Sequence, residues 1–312
     1  MKIIFMGTPA FAVPSLDILL RKQYDVVAVI TAPDKPSGRG RHLTMSALKE
    51  YALSKNLKVM QPTNLKDPAF LKEVGELKAD LQIVVAFRML PEALWKMPPL
   101  GTFNLHASLL PRYRGAAPIN RAIMNGETET GLTTFFLREE IDTGNIIHQL
   151  KMAIGPDETA GELHDRMMMA GAELVLKTVR GLEEGGVVTQ SQEMMIPPGE
   201  TLPSAPKIFR EDTVLDFHRD VHALYNHVRG LSPFPGACFN PKGFPADFFI
   251  KVYRCRPVPC SGYTAGVLVT DNKSWVHIGA GNGYLELLEV QLPGKKRLSV
   301  AELLRGYQFP VS

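Results

Sequence analysis

Short apolar runs alternate with helix-patterned stretches through the first 150 residues, and few folds accept that order. Lys2–Met6 reads as a buried strand, Val26–Thr31 as a second rich in Val and Ile, Leu81–Ala86 as a third and Gly101–His106 as a fourth. Between them, Ala10–Arg21 reads as a helix with Pro14 near its first turn, where a missing N–H is tolerated. Thr44–Ser54 reads as another helix, followed by a short strand near Val59. Strands separated by helices need crossover connections, which predicts a mostly parallel sheet. Gly131–Leu137 and Ile146–Met152 flank the polar turn Arg138–Asn145 and are expected to extend that sheet with antiparallel geometry. A long helix is expected from Thr159 to about Leu182, with Leu163, Met167, Ala170, Leu174 and Thr178 on one stripe. Its methionines read as core rather than as a soft binding surface.

A length of 312 residues exceeds a typical single core and predicts two domains. Residues 190–206 are rich in Pro and Ser, lack periodicity and read as an extended linker. Beyond them, Val221–Val228 looks helical, and Phe248–Tyr253, Gly266–Thr270, Trp275–Ile278 and Tyr284–Val290 look like short strands. That pattern predicts a small barrel of the oligonucleotide-binding type. No apolar run approaches the roughly 20 residues needed to span a bilayer. The opening MKIIFMGTPAFAVPSL is broken by Gly7, Thr8 and Pro9 and does not read as a signal peptide, so a soluble, cytoplasmic protein is expected. Cys238, Cys255 and Cys260 are an odd, late cluster that fits neither a disulfide framework nor zinc spacing, so no metal is expected.

From Lys207 onward the chain carries 13 basic and 9 acidic residues, within a net charge of +3. This mild bias favours an anionic partner for the C-terminal part, although ordinary surface variation accounts for it equally well. Gly7-Thr8-Pro9-Ala10 follows the first strand with one glycine, so the G-x-G-x-x-G cradle of a dinucleotide is missing. Gly38-Arg39-Gly40 lacks Walker spacing. Pro33–Leu43 is a loop by composition, and Lys35, Arg39, Arg41 and His42 suit either phosphate contacts or a solvated surface.

The stretch Asn104–Pro118, NLHASLLPRYRGAAP, concentrates the chemistry. Asn104 and His106 stand two positions apart on a strand and therefore share a face. An amide donor beside an imidazole suits polarising a carbonyl and moving a proton at one centre, as acyl transfer requires. By residue type alone, a structural histidine and a strand-end cap are the commoner readings. Position shifts the balance, because both sit at the carboxyl end of a parallel strand, where open α/β sheets place ligands. Asp142-Thr143-Gly144 is a tight-turn signature; its carboxylate either shapes the turn or orients the His106 ring.

These residues together resemble the methionyl-tRNA formyltransferase family of folate-dependent formyltransferases, over nearly the whole chain. The resemblance is carried by FMGTPAFAVPSL, TAPDKPSGRGRHL, NLHASLLPRYRGAAPINRAI, the Asp142-Thr143-Gly144 turn, APKIFRED, VRGLSPFPGA and QLPGKKRLS. It implies a Rossmann-like, mostly parallel catalytic domain over 1–189, a linker over 190–206, and a smaller OB-like β-barrel over 207–312 that helps hold tRNA. It implies formyl transfer from 10-formyltetrahydrofolate to the α-amine of initiator methionyl-tRNA; a monomer is expected. Asn104, His106 and Asp142 are implied as the catalytic trio. Val85, Phe87, Arg88, Met89, Leu90, Ser108, Leu109, Leu110 and Pro111 are implied as the folate wall. Lys35, Arg39, Arg41, Arg112, Arg114, Lys207, Lys295 and Lys296 are implied as tRNA contacts. One departure stands out: the family often has Tyr-Gly after the Val-Val-Ala strand, whereas Phe87-Arg88 follows here. Two alternatives are less favoured: a folate-dependent formyltransferase acting on a small amine, such as an amino sugar or glycinamide ribonucleotide, against which the Gly38-Arg39-Gly40 loop and the basic C-terminal part argue, and a non-catalytic tRNA-binding protein, which would need none of Asn104, His106 and Asp142.

Overall fold

The computed structural model of the chain describes residues 1–37 and 42–310. Along it run β1 (Lys2–Gly7), α1 (Val13–Arg21), β2 (Asp25–Ile30), β3 (Lys35–Ser37), β4 (His42–Thr44), α2 (Ala47–Ser54), β5 (Val59–Met60) and α3 (Pro68–Glu76). Then come β6 (Leu81–Val85), α4 (Glu92–Trp95), β7 (Thr102–His106), α5 (Pro118–Met124), β8 (Glu129–Phe136), β9 (Ile146–Ala153) and α6 (Ala160–Glu183). The last part holds α7 (Val221–Leu231), β10 (Ala237–Phe239), β11 (Ile250–Pro259), β12 (Leu268–Thr270), β13 (Val276–Ala280), β14 (Gly283–Gln291), β15 (Leu298–Ser299) and α8 (Val300–Leu304).

Contacts group the chain into two units. The first takes residues 1–115, 130–152 and 164–204; the second takes 116–129, 153–163 and everything from 205 on. This grouping differs from the linker-based division at 190–206. The segment up to Ser204 belongs to the first unit, where Gln190 pairs with Ile146 and Pro203 O accepts from Tyr113 N at 2.7 Å.

In the first unit a seven-stranded sheet runs β5-β2-β1-β6-β7-β8-β9. β1, β2, β5, β6 and β7 are parallel, as the crossover pattern predicts, and β8 turns antiparallel against β7. Local signals start its helices: Ser46 caps α2 by accepting from Lys49 N, and Asp67 caps α3 with Pro68 at the first position. Ile4, Met6, Ala28, Ile30 and Val84 pack with Phe70, Val74 and Leu94 in a buried core. After β5 the chain returns to the other side of β1, so the strand order reverses between β1 and β6, and ligands of open α/β sheets bind at such a point. Gly7 ends β1 beside Val85, and a Cβ there would lie 2.7 Å from Val85 O and from Ala12 Cβ. Within the stretch read as a loop by composition, the described residues include β3 and β4, which pair antiparallel from Lys35↔Thr44.

In the second unit, β10-β11-β14-β13-β12 form an antiparallel sheet, with β15 on β14. Leu224, Val228 and Leu231 of α7 share its core with Val252, Ile278, Leu285, Leu287 and Leu303. α5 lies so close to α7 that a Cβ on Gly230 would fall 2.5 Å from Met124 Cγ, and Asn120 Nδ2 donates to Gly230 O at 2.7 Å. His227 is 9% exposed; its Nε2 donates to Asp212 O at 2.7 Å and its Nδ1 accepts from Arg219 Nη1 at 3.2 Å. The bond accepted at Nδ1 requires a neutral ring. Burial, helped by the Arg219 and Arg121 charges, holds its pKa below the usual histidine value.

Candidate active site

β6 and β7 run in register, Val84 beside Asn104 and Val85 beside Leu105, and both stop at the edge where the strand order reverses. Asn104 is half-buried and His106 is 6% exposed. The His106 ring stands edge-on to Phe135, with centroids 6.5 Å apart. Its Nε2 lies 2.9 Å from Tyr113 O. A carbonyl only accepts, so Nε2 carries the hydrogen and Nδ1 is the nitrogen left for proton exchange. That Nδ1 is 3.8 Å from Asp142 Oδ2, with the two side chains 7% and 13% exposed. The same Oδ2 accepts from Gly115 N at 2.9 Å. Asp142 sits at φ +55°, a left-handed conformation that Asp tolerates in tight turns. Shaping the turn and facing the imidazole are therefore both true of this residue.

The loop after His106 is held from β8 and β9. Thr133 Oγ1 donates to Ser108 O at 2.7 Å and accepts from Leu110 N at 3.2 Å, and Gln149 Nε2 donates to Leu110 O at 2.8 Å. Ser108 Oγ donates to Arg112 O at 2.7 Å, which tightens the turn leading to Tyr113.

The residues expected to wall the folate fall into two groups at neighbouring strand ends. Val85 is fully buried, Leu90 is 8% exposed, Met89 is 68% exposed, and Phe87 and Arg88 are half-buried. Nη1 and Nη2 of Arg88 donate to Thr63 O and Pro62 O, while its Nε is buried without an acceptor among the described residues. Burial lowers the pKa of this guanidinium. Ser108, Leu110 and Pro111 are buried and Leu109 is half-buried.

The expected tRNA contacts are scattered in the sequence. Lys35 is exposed in the first unit, and Arg112 faces Glu200 at 4.0 Å. Arg114 lines a hollow of about 300 Å³ with Pro111, Ile196, Glu200, Leu202, Pro203 and Ser204. Lys207, Lys295 and Lys296 are exposed in the second unit, with the Lys207 ammonium 5.7 Å from the Phe209 ring. Arg39 and Arg41 lie outside the described residues.

One residue of this site escapes sequence reasoning. Gln192, inside the stretch read as a linker, is 1% exposed and bonds to Arg114 and to the Asp142 turn. No spacing signal marks it, because two of its partners are backbone carbonyls 48 and 50 positions away.

A formyl transferase family model matches residues 1–179, and a formyl transferase C-terminal domain model matches 207–308. The chain belongs to the formyltransferase family. A Flavobacterium johnsoniae protein named methionyl-tRNA formyltransferase is 51% identical over 99% of this chain and 97% of its own length. Among solved structures, an N-formyltransferase from Helicobacter canadensis in complex with folinic acid and dTDP-3-aminofucose superimposes with a TM-score of 0.67 at 21% identity, covering 96% of this chain and 100% of that one. HypX from Aquifex aeolicus superimposes with a TM-score of 0.66 at 18% identity over 98% of this chain, which spans 49% of that longer protein. At such identities the two structures speak for the formyltransferase fold alone. The expected fold class, a mostly parallel Rossmann-like sheet with a separate antiparallel β unit, holds. Among the described residues no helix is long and apolar enough to cross a membrane.

Proposed function

We propose that this formyltransferase moves the formyl group of 10-formyltetrahydrofolate to the α-amine of methionine on initiator tRNA, giving N-formylmethionyl-tRNA for translation initiation. The observation that carries the reading is the approach of Asp142 Oδ2 to His106 Nδ1, 3.8 Å, beside Asn104 on the same strand. The acceptor follows from the 51% identity with a relative named for methionyl-tRNA. The sugar-nucleotide enzyme shares only 21% and lends no acceptor.

The folate supplies an activated formyl carbon. Asn104 donates a hydrogen bond to the carbonyl oxygen as charge gathers on it, and His106, carrying a proton on Nδ1, adds a second donor. One such donor is worth about 3–4 kcal/mol of barrier. Tyr113 O keeps the ring from turning, Asp142 takes the proton released by the attacking amine, and N10 is protonated as its bond to the formyl carbon breaks, so that tetrahydrofolate leaves. Positioned acid–base groups add about 10²–10⁴ in rate. The buried Arg88 Nε, without an acceptor among the described residues, supports a folate acceptor atom beside Val85–Leu90, with Ser108–Pro111 as the adjoining wall. Residues 1–189 carry catalysis. Lys35, Arg39, Arg41, Arg112 and Arg114, with Lys207, Lys295 and Lys296 of the 207–312 part, contact tRNA, and the enzyme works as a cytoplasmic monomer.

The test is direct. The protein is incubated with 10-formyltetrahydrofolate and methionylated initiator tRNA, with uncharged tRNA, glycinamide ribonucleotide and an amino-sugar nucleotide as separate acceptors. Formylation of the charged tRNA alone is expected. Turnover only with a small amine, or tRNA binding without folate consumption, would defeat the reading.

A further inference from the structure

Gln192 leaves no part of its amide unused. Its Oε1 accepts from Arg114 Nε at 3.1 Å and Nη2 at 2.7 Å. Its Nε2 donates to Asp142 O and to Gly144 O, each at 2.8 Å. Two donors and two acceptor sites are all an amide has, so this one is filled. The partners also fix which way it points, since a guanidinium only donates and carbonyls only accept.

Those partners bear on the reacting groups from two sides. Asp142 O and Gly144 O belong to the turn that presents the Asp142 carboxylate. Arg114 follows Tyr113, whose carbonyl holds His106 Nε2, and precedes Gly115, whose N–H binds Asp142 Oδ2. The bonds close a loop: from Asp142 O through Gln192 to Arg114, along the chain to Gly115, and back to the Asp142 carboxylate. We infer that Gln192 is a positioning residue for formyl transfer, tying the Asp142 turn to the Arg114 loop so that the carboxylate stays against His106. The role rests on the reaction proposed above, but the placement it predicts can be read without any substrate.

The segment has its own anchorage. Gln190 N donates to Ile146 O at 2.9 Å and Ile146 N to Gln190 O at 2.8 Å, so the strand pairing persists when the neighbouring side chain changes. Gln192→Met keeps length and removes every hydrogen bond. Gln192→Glu is the second variant: it keeps an acceptor for Arg114 and turns a carboxylate oxygen on the two carbonyls.

Two readouts are taken on folded protein, matched for far-ultraviolet circular dichroism. Single-turnover formylation should slow by about 10- to 100-fold in both variants, the range by which displaced catalytic groups lose rate, with the KM for folate within about threefold of wild type. Hydrogen exchange of the Gly115 amide should speed by at least about tenfold, while β7 amides keep their protection. Either readout at its wild-type value in both variants overturns the inference. Wild-type protein that fails to formylate methionyl-tRNA would refute the proposed reaction instead, and Gly115 exchange alone would then decide whether Gln192 holds the turn.

Discussion

Replacing Asp142 by Asn removes one charge and little else, which makes it the sharpest probe of the site. The amide oxygen can still accept from Gly115 N, the bond that Asp142 Oδ2 now accepts at 2.9 Å. What disappears is the carboxylate 3.8 Å from His106 Nδ1. At an effective dielectric of about 20, opposite unit charges at that separation attract by about 4 kcal/mol. Each 1.36 kcal/mol is a factor of ten in rate, so the full attraction corresponds to about 10³. Desolvation of a pair this buried takes back part of it. Asp142→Asn should therefore lower the single-turnover rate of formylation by about 10²–10³, with the KM for folate nearly unchanged. Asp142→Ala, which also strands the Gly115 N–H, should lose at least as much rate and some thermal stability besides. The measurement is rapid-quench formylation of methionyl-tRNA at saturating folate. An Asp142→Asn enzyme that is folded and keeps more than about a tenth of the wild-type rate refutes the pairing as a source of catalysis.

Asn104→Ala should cut kcat by about two orders of magnitude while folate affinity is kept; near wild-type turnover removes the oxyanion role. Gly230→Ala forces a Cβ against Met124 Cγ and should destabilise the fold by about 1–3 kcal/mol in denaturant titration. Gly75→Ala, on α3 with open space around it, should stabilise by up to about 1 kcal/mol, and equal signs for the two would contradict the packing of α5 on α7. The His227 pKa is held below 6.5, so as pH falls the unfolded ring protonates first. Stability is then full above about pH 6.5 and declines below it until the folded ring also protonates. His227→Gln should flatten that decline, and identical stability–pH slopes between about pH 7 and 5.5 would show that the ring is not the group responsible.

Some of this molecule was readable because its signals are local. The apolar runs at β1, β2, β6 and β7 and the helices between them follow from periodicity, and crossover geometry then makes the strands parallel. Asn104 and His106 share a face by the two-residue alternation of a strand alone. The pairing of β3 with β4 was hidden because two three-residue strands sit in a stretch of Pro, Gly and Arg, which reads as loop. The meeting of Asp142 with His106 follows from β7 and β8 lying side by side, a fact of sheet order rather than of spacing. Gln192 was beyond reach for a stronger reason: two of its four bonds go to backbone carbonyls, which carry no residue type to look for, and the other two go to Arg114, 78 positions away. The assignment of 116–129 to the second unit rests on α5 packing on α7, which no local pattern in α5 announces.

The assembly of the second unit from three separated stretches sets a schedule for the nascent chain. Met124 of α5, which packs against Gly230, leaves the ribosome roughly 100 residues ahead of α7. At about 5–20 residues per second, that apolar side chain waits about 5–20 s for its cover. Translation stalled in this interval would release a polypeptide with sticky helix exposed, a substrate for holding chaperones rather than a half-finished enzyme.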